Sequence, residues 1–245
     1  MNKEIFSLLG GLFSANLSAK DEQGEIITRT TQIDSNEFDY QLHIPPDFQV
    51  KDGLPVIIFL HGIRERGTGG FIPKAGVMGA LIQQYFAQVP AIILLPQCRT
   101  ARYWSDPVME QMVIQALEQT VEEFSANANR VYLIGVSMGG YGVWRFASQY
   151  PKKFAALVSI CGGSPVSEGD RFASIARKVG RTPAWLFHGA EDKIVPVSES
   201  RELVKALQAN KGNVKYSEYA DVGHNVWMNV LTEKKLLPWL LEHNL

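Results

Sequence analysis

Ser137 stands in the run Gly135-Val136-Ser137-Met138-Gly139, directly after the apolar stretch 131–134 and at the head of a helical pattern. A serine hydroxyl is a weak nucleophile unless a neighbouring base takes its proton. A sharp strand-to-helix turn would present that hydroxyl to solvent, and it needs small residues two positions to either side because strand and helix crowd there. The helix N-terminus adds backbone N–H groups that favour developing negative charge. The chemistry this arrangement suits is acyl transfer. A glycine-flanked serine in an ordinary tight turn is the bland alternative, and the strand–motif–helix setting argues against it.

Such a serine needs a base, and the chain has five histidines. His43 lies within an extended segment and His243 is two residues from the C-terminus. His61 and His188 each follow a strand and precede a glycine, a position suited to shaping a loop by hydrogen bonds. His224 sits in the turn-rich stretch Asp221-Val222-Gly223-His224-Asn225, late in the chain, as the order Ser…Asp…His expects. It is the candidate base. The third member is a carboxylate that holds the imidazole in the right tautomer and stabilises the imidazolium. Asp192, in the loop after 184–187, is the choice; Glu191 is the nearest rival, and Asp221 reads as a turn residue.

A tetrahedral oxyanion also needs donors. The Met138 N–H follows the nucleophile and is one candidate. The second should come from the loop after Val56–Leu60, where Ile63 is the choice and Gly62 its rival. Arg64 and Arg66 in that loop could meet an anionic substrate, though structural pairing is the simpler role. The glycine-rich stretch 67–70 lacks the Gly-Lys-Ser/Thr ending of a nucleotide-binding loop.

The elements that must position these groups follow from the hydrophobic pattern. Segments 26–33 and 38–44 read as extended strands. The short, nearly all-apolar runs Val56–Leu60, 91–95, Val131–Val136, 154–160 and 184–187 read as strands buried on both faces; Val214–Tyr219 is a final strand candidate. Helical patterns cover 76–88, 107–126, 138–150, 198–208 and 233–242, and Asp106-Pro107 supplies an N-cap followed by proline at the first helical position. Two opening strands and then strand–helix alternation imply an α/β fold, a doubly wound, mostly parallel sheet flanked by helices. In such sheets active groups gather just beyond the carboxyl ends of strands, where Ser137, Asp192 and His224 all fall. Residues 26–245 read as one domain and 1–25 as a segment of uncertain role.

At 46% hydrophobic, 20% charged and a formal net charge of −1, the 245 residues have the composition of a globular protein, with no basic surface for nucleic acid or anionic membrane. Cys98 and Cys161 have no metal-site spacing and are expected as reduced structural thiols. No apolar run reaches the ~18 residues of a membrane span. Residues 5–13 resemble the core of a secretory signal, but Glu4 offsets Lys3 and Gly10-Gly11 interrupt the run. The expectation is cytoplasmic, with a periplasmic or secreted location as the alternative. Nothing in the sequence sets an oligomeric state.

Taken together, Leu60-His61-Gly62 with Glu65-Arg66-Gly67, Pro96-Gln97-Cys98, the nucleophile turn continuing Gly139-Gly140-Tyr141-Gly142, His188-Gly189 with Asp192 and Val195-Pro196, and Gly223-His224 with Trp227 resemble the α/β-hydrolase superfamily. They resemble especially its carboxylesterase, dienelactone-hydrolase and prolyl-oligopeptidase-like branch. The resemblance implies an eight-stranded sheet with the first pairing antiparallel, no cofactor and no metal, and backbone oxyanion donors at Ile63 and Met138. It also implies serine-dependent hydrolysis of small carboxylic esters or thioesters through an acyl-enzyme. A serine peptidase of the prolyl-oligopeptidase type is the alternative, and a non-catalytic binding protein on the same fold a remoter one. Trp104, Trp227 and Tyr141 are the candidate pocket wall, with Tyr103 and Phe71 beside them, although aromatics also fill cores. The stretch 162–181 is too polar to roof a greasy tunnel and reads as a short cap over an open cleft, which favours acyl groups of roughly two to six carbons.

Overall fold

A computed structural model describes residues 24–46, 48–49, 53–68, 89–166 and 169–245; the expected helix at 76–88, Phe71 and residues 1–23 of the N-terminal segment lie outside them. Eight strands among the described residues form one sheet: β1 (Glu25–Ile33), β2 (Asn36–Ile44), β3 (Val56–Leu60), β4 (Ile92–Pro96), β5 (Val131–Val136), β6 (Ala156–Ile160), β7 (Ala184–Gly189) and β8 (Val214–Tyr219). Their order is β1-β2-β4-β3-β5-β6-β7-β8. β2 runs antiparallel to both β1 and β4, and every pairing from β4 to β8 is parallel. This is the doubly wound, mostly parallel sheet that the pattern predicts. The order reverses beside β3, so the loops leaving β3 and β5 diverge and open a crevice at their carboxyl ends.

The central strands show why their sequences are continuously apolar. Along β3, Val56, Ile58 and Leu60 enter the core on one face of the sheet, and Ile57 and Phe59 the core on the other. Each residue is buried on one side or the other, as a sheet covered on both faces requires. On the first face lie α1 (Pro107–Phe124), α2 (Met138–Gln149), α3 (Arg171–Val179) and α4 (Ser198–Ala209). Short helices α5 (Trp227–Val230) and α6 (Leu236–Leu241) cover the second. Among the described residues, no helix is long and apolar enough to cross a membrane.

Three local readings need correction. The stretch 162–181, expected as a short polar cap, also has an apolar side: it carries α3, whose Ile175, Ala176 and Val179 are buried, with Phe172 packed against the core. Those four positions repeat at helical spacing. The last helix starts at Leu236 rather than 233 because Pro238 has no N–H to give and is tolerated only in a first turn. Asp106 is the N-cap of α1, but its carboxylate pairs with Arg102 at 3.1 Å and makes no capping hydrogen bond.

Helix α2, which leads away from Ser137, is fixed to the sheet by Trp144. Its ring is fully buried and its N–H donates to Ser159 Oγ on β6 at 3.2 Å, while that hydroxyl donates to the Gly140 carbonyl at 3.2 Å. Beneath it, Arg145 pairs with the buried Glu110 of α1 at 2.5 Å. Trp144→Ala is expected to destabilise the fold by about 3–5 kcal/mol, and Trp144→Phe, which keeps most of the packing, by about 1 kcal/mol for the lost hydrogen bond. Urea unfolding of the two variants checks both values.

Candidate active site

Ser137 links β5 to α2 in a single residue, with φ 54° and ψ −115°. A non-glycine residue in such a conformation costs on the order of 1–3 kcal/mol and persists only where its surroundings enforce it. The surroundings do so here. Ser137 N–H donates to the Ile160 carbonyl of β6 at 2.8 Å, and the Ser137 carbonyl accepts from Tyr141 N–H at 3.1 Å as the first bond of the helix. A β-carbon on Gly139 would overlap the Leu60 carbonyl, and one on Gly135 would overlap the carbonyl of Gly139. Both flanking glycines are required by close backbone approach.

Three side chains from three loops then meet in one hydrogen-bonded chain. Ser137 Oγ lies 2.9 Å from His224 Nε2, and His224 Nδ1 lies 2.7 Å from Asp192 Oδ2. A carboxylate only accepts, so Nδ1 carries the proton and Nε2 is left as the acceptor for the serine hydroxyl. Asp192 is buried, and its other oxygen accepts from the N–H groups of Ile194 and Val195 at 2.8 and 2.9 Å. Glu191 and Asp221, the rival carboxylates, are both exposed and meet no imidazole. The arrangement can move a proton from Ser137 to His224 while Asp192 balances the resulting charge.

The loop after β3 faces this chain across the crevice. Gly62 caps a single 3-10 turn, Ile63–Glu65, so Ile63 N–H opens a turn just as Met138 N–H opens α2. N–H groups at such positions have no partner within their own helix. Their carrier loop is knitted by groups the sequence reading assigned only loosely. His61 Nδ1 donates to the Gly62 carbonyl at 2.7 Å and its Nε2 accepts from Cys98 N–H at 3.0 Å. Gln97 Nε2 donates to the Glu65 carbonyl at 2.7 Å. Arg66 donates to the carbonyls of Ile63 and Arg102, both at 3.1 Å, and lies over the Tyr103 ring. It therefore has the structural role of the two considered for it.

A cleft of about 400 Å³ opens beside Ser137, with Ile63, Tyr103, Trp104, Met138, Tyr141 and Val166 among its walls and Arg171 as its charged side chain. Trp104 and Tyr141 fall where expected. Trp104 is also buried, donating its N–H to the His61 carbonyl at 2.9 Å. Trp227 packs edge-on against His224, with centroids 5.7 Å apart, and braces the imidazole. The sequence reading missed Arg171, which is held by Glu199 at 2.5 Å, and the rim residue Ile194. No local pattern marks either, because their place depends on how the loops after β6 and β7 converge.

Among the described residues, Cys161, Asp192 and His224 form the one group of metal-ligand types within reach of one another. Asp192 and His224 are already joined by a proton, and burial pushes the Cys161 thiol far above its ordinary range. The trio reads as an imidazole–carboxylate pair beside a neutral thiol. Cys98 is likewise free and buried, with its thiol pushed up to about 12 by burial.

Residues 105–235 match the family described as phospholipase/carboxylesterase. Among solved structures, a thermostable esterase is 32% identical with a TM-score of 0.79, over 90% of this chain and 63% of that one. An acylaminoacyl peptidase from Pyrococcus horikoshii is 17% identical with a TM-score of 0.71, over 89% of this chain and 41% of that one. A ferulic acid esterase is 16% identical with a TM-score of 0.68, over 90% and 99%. The chain thus spans less than two thirds of the first two, and the likenesses below 20% identity bear on the fold alone. No curated protein sequence matches.

Burial lowers the His61 imidazole to about 4, so folding favours its neutral form. Between pH 6.5 and 4 the unfolded chain therefore binds the extra proton, and stability is present above pH 6.5 and falls as pH drops towards 4. The loss should approach about 3 kcal/mol from this residue. Thermal unfolding from pH 7 to 4 should show the decline, and His61→Gln, which starts less stable, should show a shallower one.

Proposed function

This chain belongs to the phospholipase/carboxylesterase family of α/β-hydrolases, and we propose that it hydrolyses small carboxylic esters, thioesters included, with Ser137 as nucleophile. The observation that carries the reading is the hydrogen-bonded chain from Ser137 Oγ through His224 to Asp192 at 2.9 and 2.7 Å, set at a strained strand-to-helix turn. As Ser137 attacks the carbonyl carbon, His224 Nε2 takes its proton and Asp192 stabilises the imidazolium. Ile63 and Met138 both line the cleft beside Ser137, and their N–H groups are the donors we assign to the oxyanion. His224 then returns the proton to the leaving alkoxide. A water activated by the same imidazole releases the acid and frees Ser137.

The neutral, buried thiol of Cys161 is no competitor for this role, since the thiolate is the reactive form. A fluorophosphonate should label the protein at Ser137, and Ser137→Ala should abolish both labelling and turnover while the folded protein keeps its circular dichroism. Retained turnover in that variant would remove Ser137 from the mechanism.

The cleft bears on acyl length. Its volume lies at the small end of ligand clefts, roughly 300–1,000 Å³, and its rim residues Ile63, Tyr103, Val166 and Ile194 are all exposed. Each methylene that finds apolar wall gains about 0.8 kcal/mol, or about fourfold in kcat/KM. The gain should end once the chain passes the rim. Nitrophenyl esters from acetate to dodecanoate should peak within roughly two to six carbons; a rise that continues to twelve carbons would contradict this substrate range.

A further inference from the structure

Asp192 Oδ2 faces two imidazoles. Besides His224, the Nε2 of His188 lies 3.3 Å from it. That ring is fully buried at the end of β7; its Nε2 also lies 2.9 Å from the Val195 carbonyl, and its Nδ1 lies 2.7 Å from Ser200 Oγ on α4. A carbonyl only accepts, so Nε2 carries the proton and Nδ1 accepts from the Ser200 hydroxyl. Burial lowers the ring's affinity for a second proton and keeps it neutral. His188 touches neither the cleft nor Ser137.

We propose that His188 is a positioning residue: its N–H, oriented by Ser200, draws on the carboxylate oxygen that His224 uses and thereby sets the basicity of His224. This rests on the function proposed for Ser137, His224 and Asp192. With its proton directed to the Val195 carbonyl, the N–H still presents its positive end 3.3 Å from the Asp192 oxygen, which stabilises the carboxylate charge and leaves less of it for the imidazolium. Without the donor, Asp192 holds protonated His224 more tightly and the base loses its proton at higher pH. The donor thus keeps His224 neutral and available at lower pH. Besides His224, Asp192 is oriented by the two N–H groups on its other oxygen.

The other groups around the pair are not expected to titrate in this range. Cys161, beside Asp192, is a neutral thiol, and its burial keeps it so. Glu218 on β8, electrostatically coupled to His188, is held to about 2 by its hydrogen bond to Arg201 of α4, and Tyr216 bonds the same carboxylate.

The test compares wild type with His188→Leu, His188→Gln and Ser200→Ala, measuring kcat and KM for a short-chain nitrophenyl ester from pH 5 to 9. In His188→Leu the midpoint of the kcat/KM profile should move up by about half a unit. Its kcat should fall about tenfold with KM unchanged. His188→Gln returns an N–H near the Nε2 position and should restore the wild-type midpoint. Ser200→Ala should move the midpoint in the same direction by less, because the imidazole N–H becomes a weaker donor when Nδ1 loses its partner. If His188→Leu does not fold, the Ser200→Ala midpoint decides. A rate lowered equally at every pH, with the midpoint unmoved in each variant, overturns the proposal. If wild type neither labels with fluorophosphonate nor hydrolyses esters, the assignment of the site itself falls; if it does both and the variants keep its profile, only the role of His188 falls.

Discussion

At Ser137 the chain must leave a strand and enter a helix within one residue, and the backbone conformation this demands is one that L-residues avoid. Everything nearby is arranged to hold it. The Ile160 carbonyl fixes the amide from β6, the missing side chains at Gly135 and Gly139 let strand, helix and the end of β3 close together, and Trp144 seals α2 onto the sheet. The parallel sheet is what makes the clamp possible. Only with β3, β5 and β6 adjacent and in register do Leu60, Gly135 and Ser159 come to one level, with Ile160 one residue beyond.

Three histidines in this structure behave as three different groups because of what surrounds each. His61 is sealed behind Trp104 and Cys98, neutral with its proton on Nδ1, and acts as a bracket for a loop. His188 is equally buried, but Ser200 and the Val195 carbonyl place its proton on Nε2. His224 is partly exposed, carries its proton on Nδ1 towards Asp192, and is the one whose free nitrogen meets a hydroxyl. Tautomer choice is imposed in each case by an acceptor that cannot reverse its role.

The central sheet was largely legible from sequence because burial on both faces leaves an unbroken apolar signature, and Val56–Leu60 and Val131–Val136 fall where it places them. The residues that meet at Ser137 were legible for another reason. A turn at the end of a strand is a local pattern, and chain order narrowed the choice of histidine and carboxylate. Contacts made across the sheet left no such trace. Trp227 and Trp104 both sit in loops near strand ends, yet one braces an imidazole and the other walls the cleft. Arg171 reaches the cleft only because α3 begins there, and the apolar face of α3 was masked by its flanking charges. The second imidazole on Asp192 depends on a turn folding back within four residues, which no periodicity predicts.

Trp104 is wall and girder at once: its ring bounds the cleft, its N–H holds the His61 carbonyl, and a side chain at Gly142 would run into it. Evolution of substrate range is therefore unevenly constrained around the opening. A change at Trp104 alters the shape of the cleft and the position of the Ile63 loop together, so two properties would have to be re-optimised at once. Val166 and Ile194 are exposed rim residues whose bonds to the scaffold run through the backbone, so their apolar side chains can change without breaking them. Divergence among descendants of this chain has its open direction there.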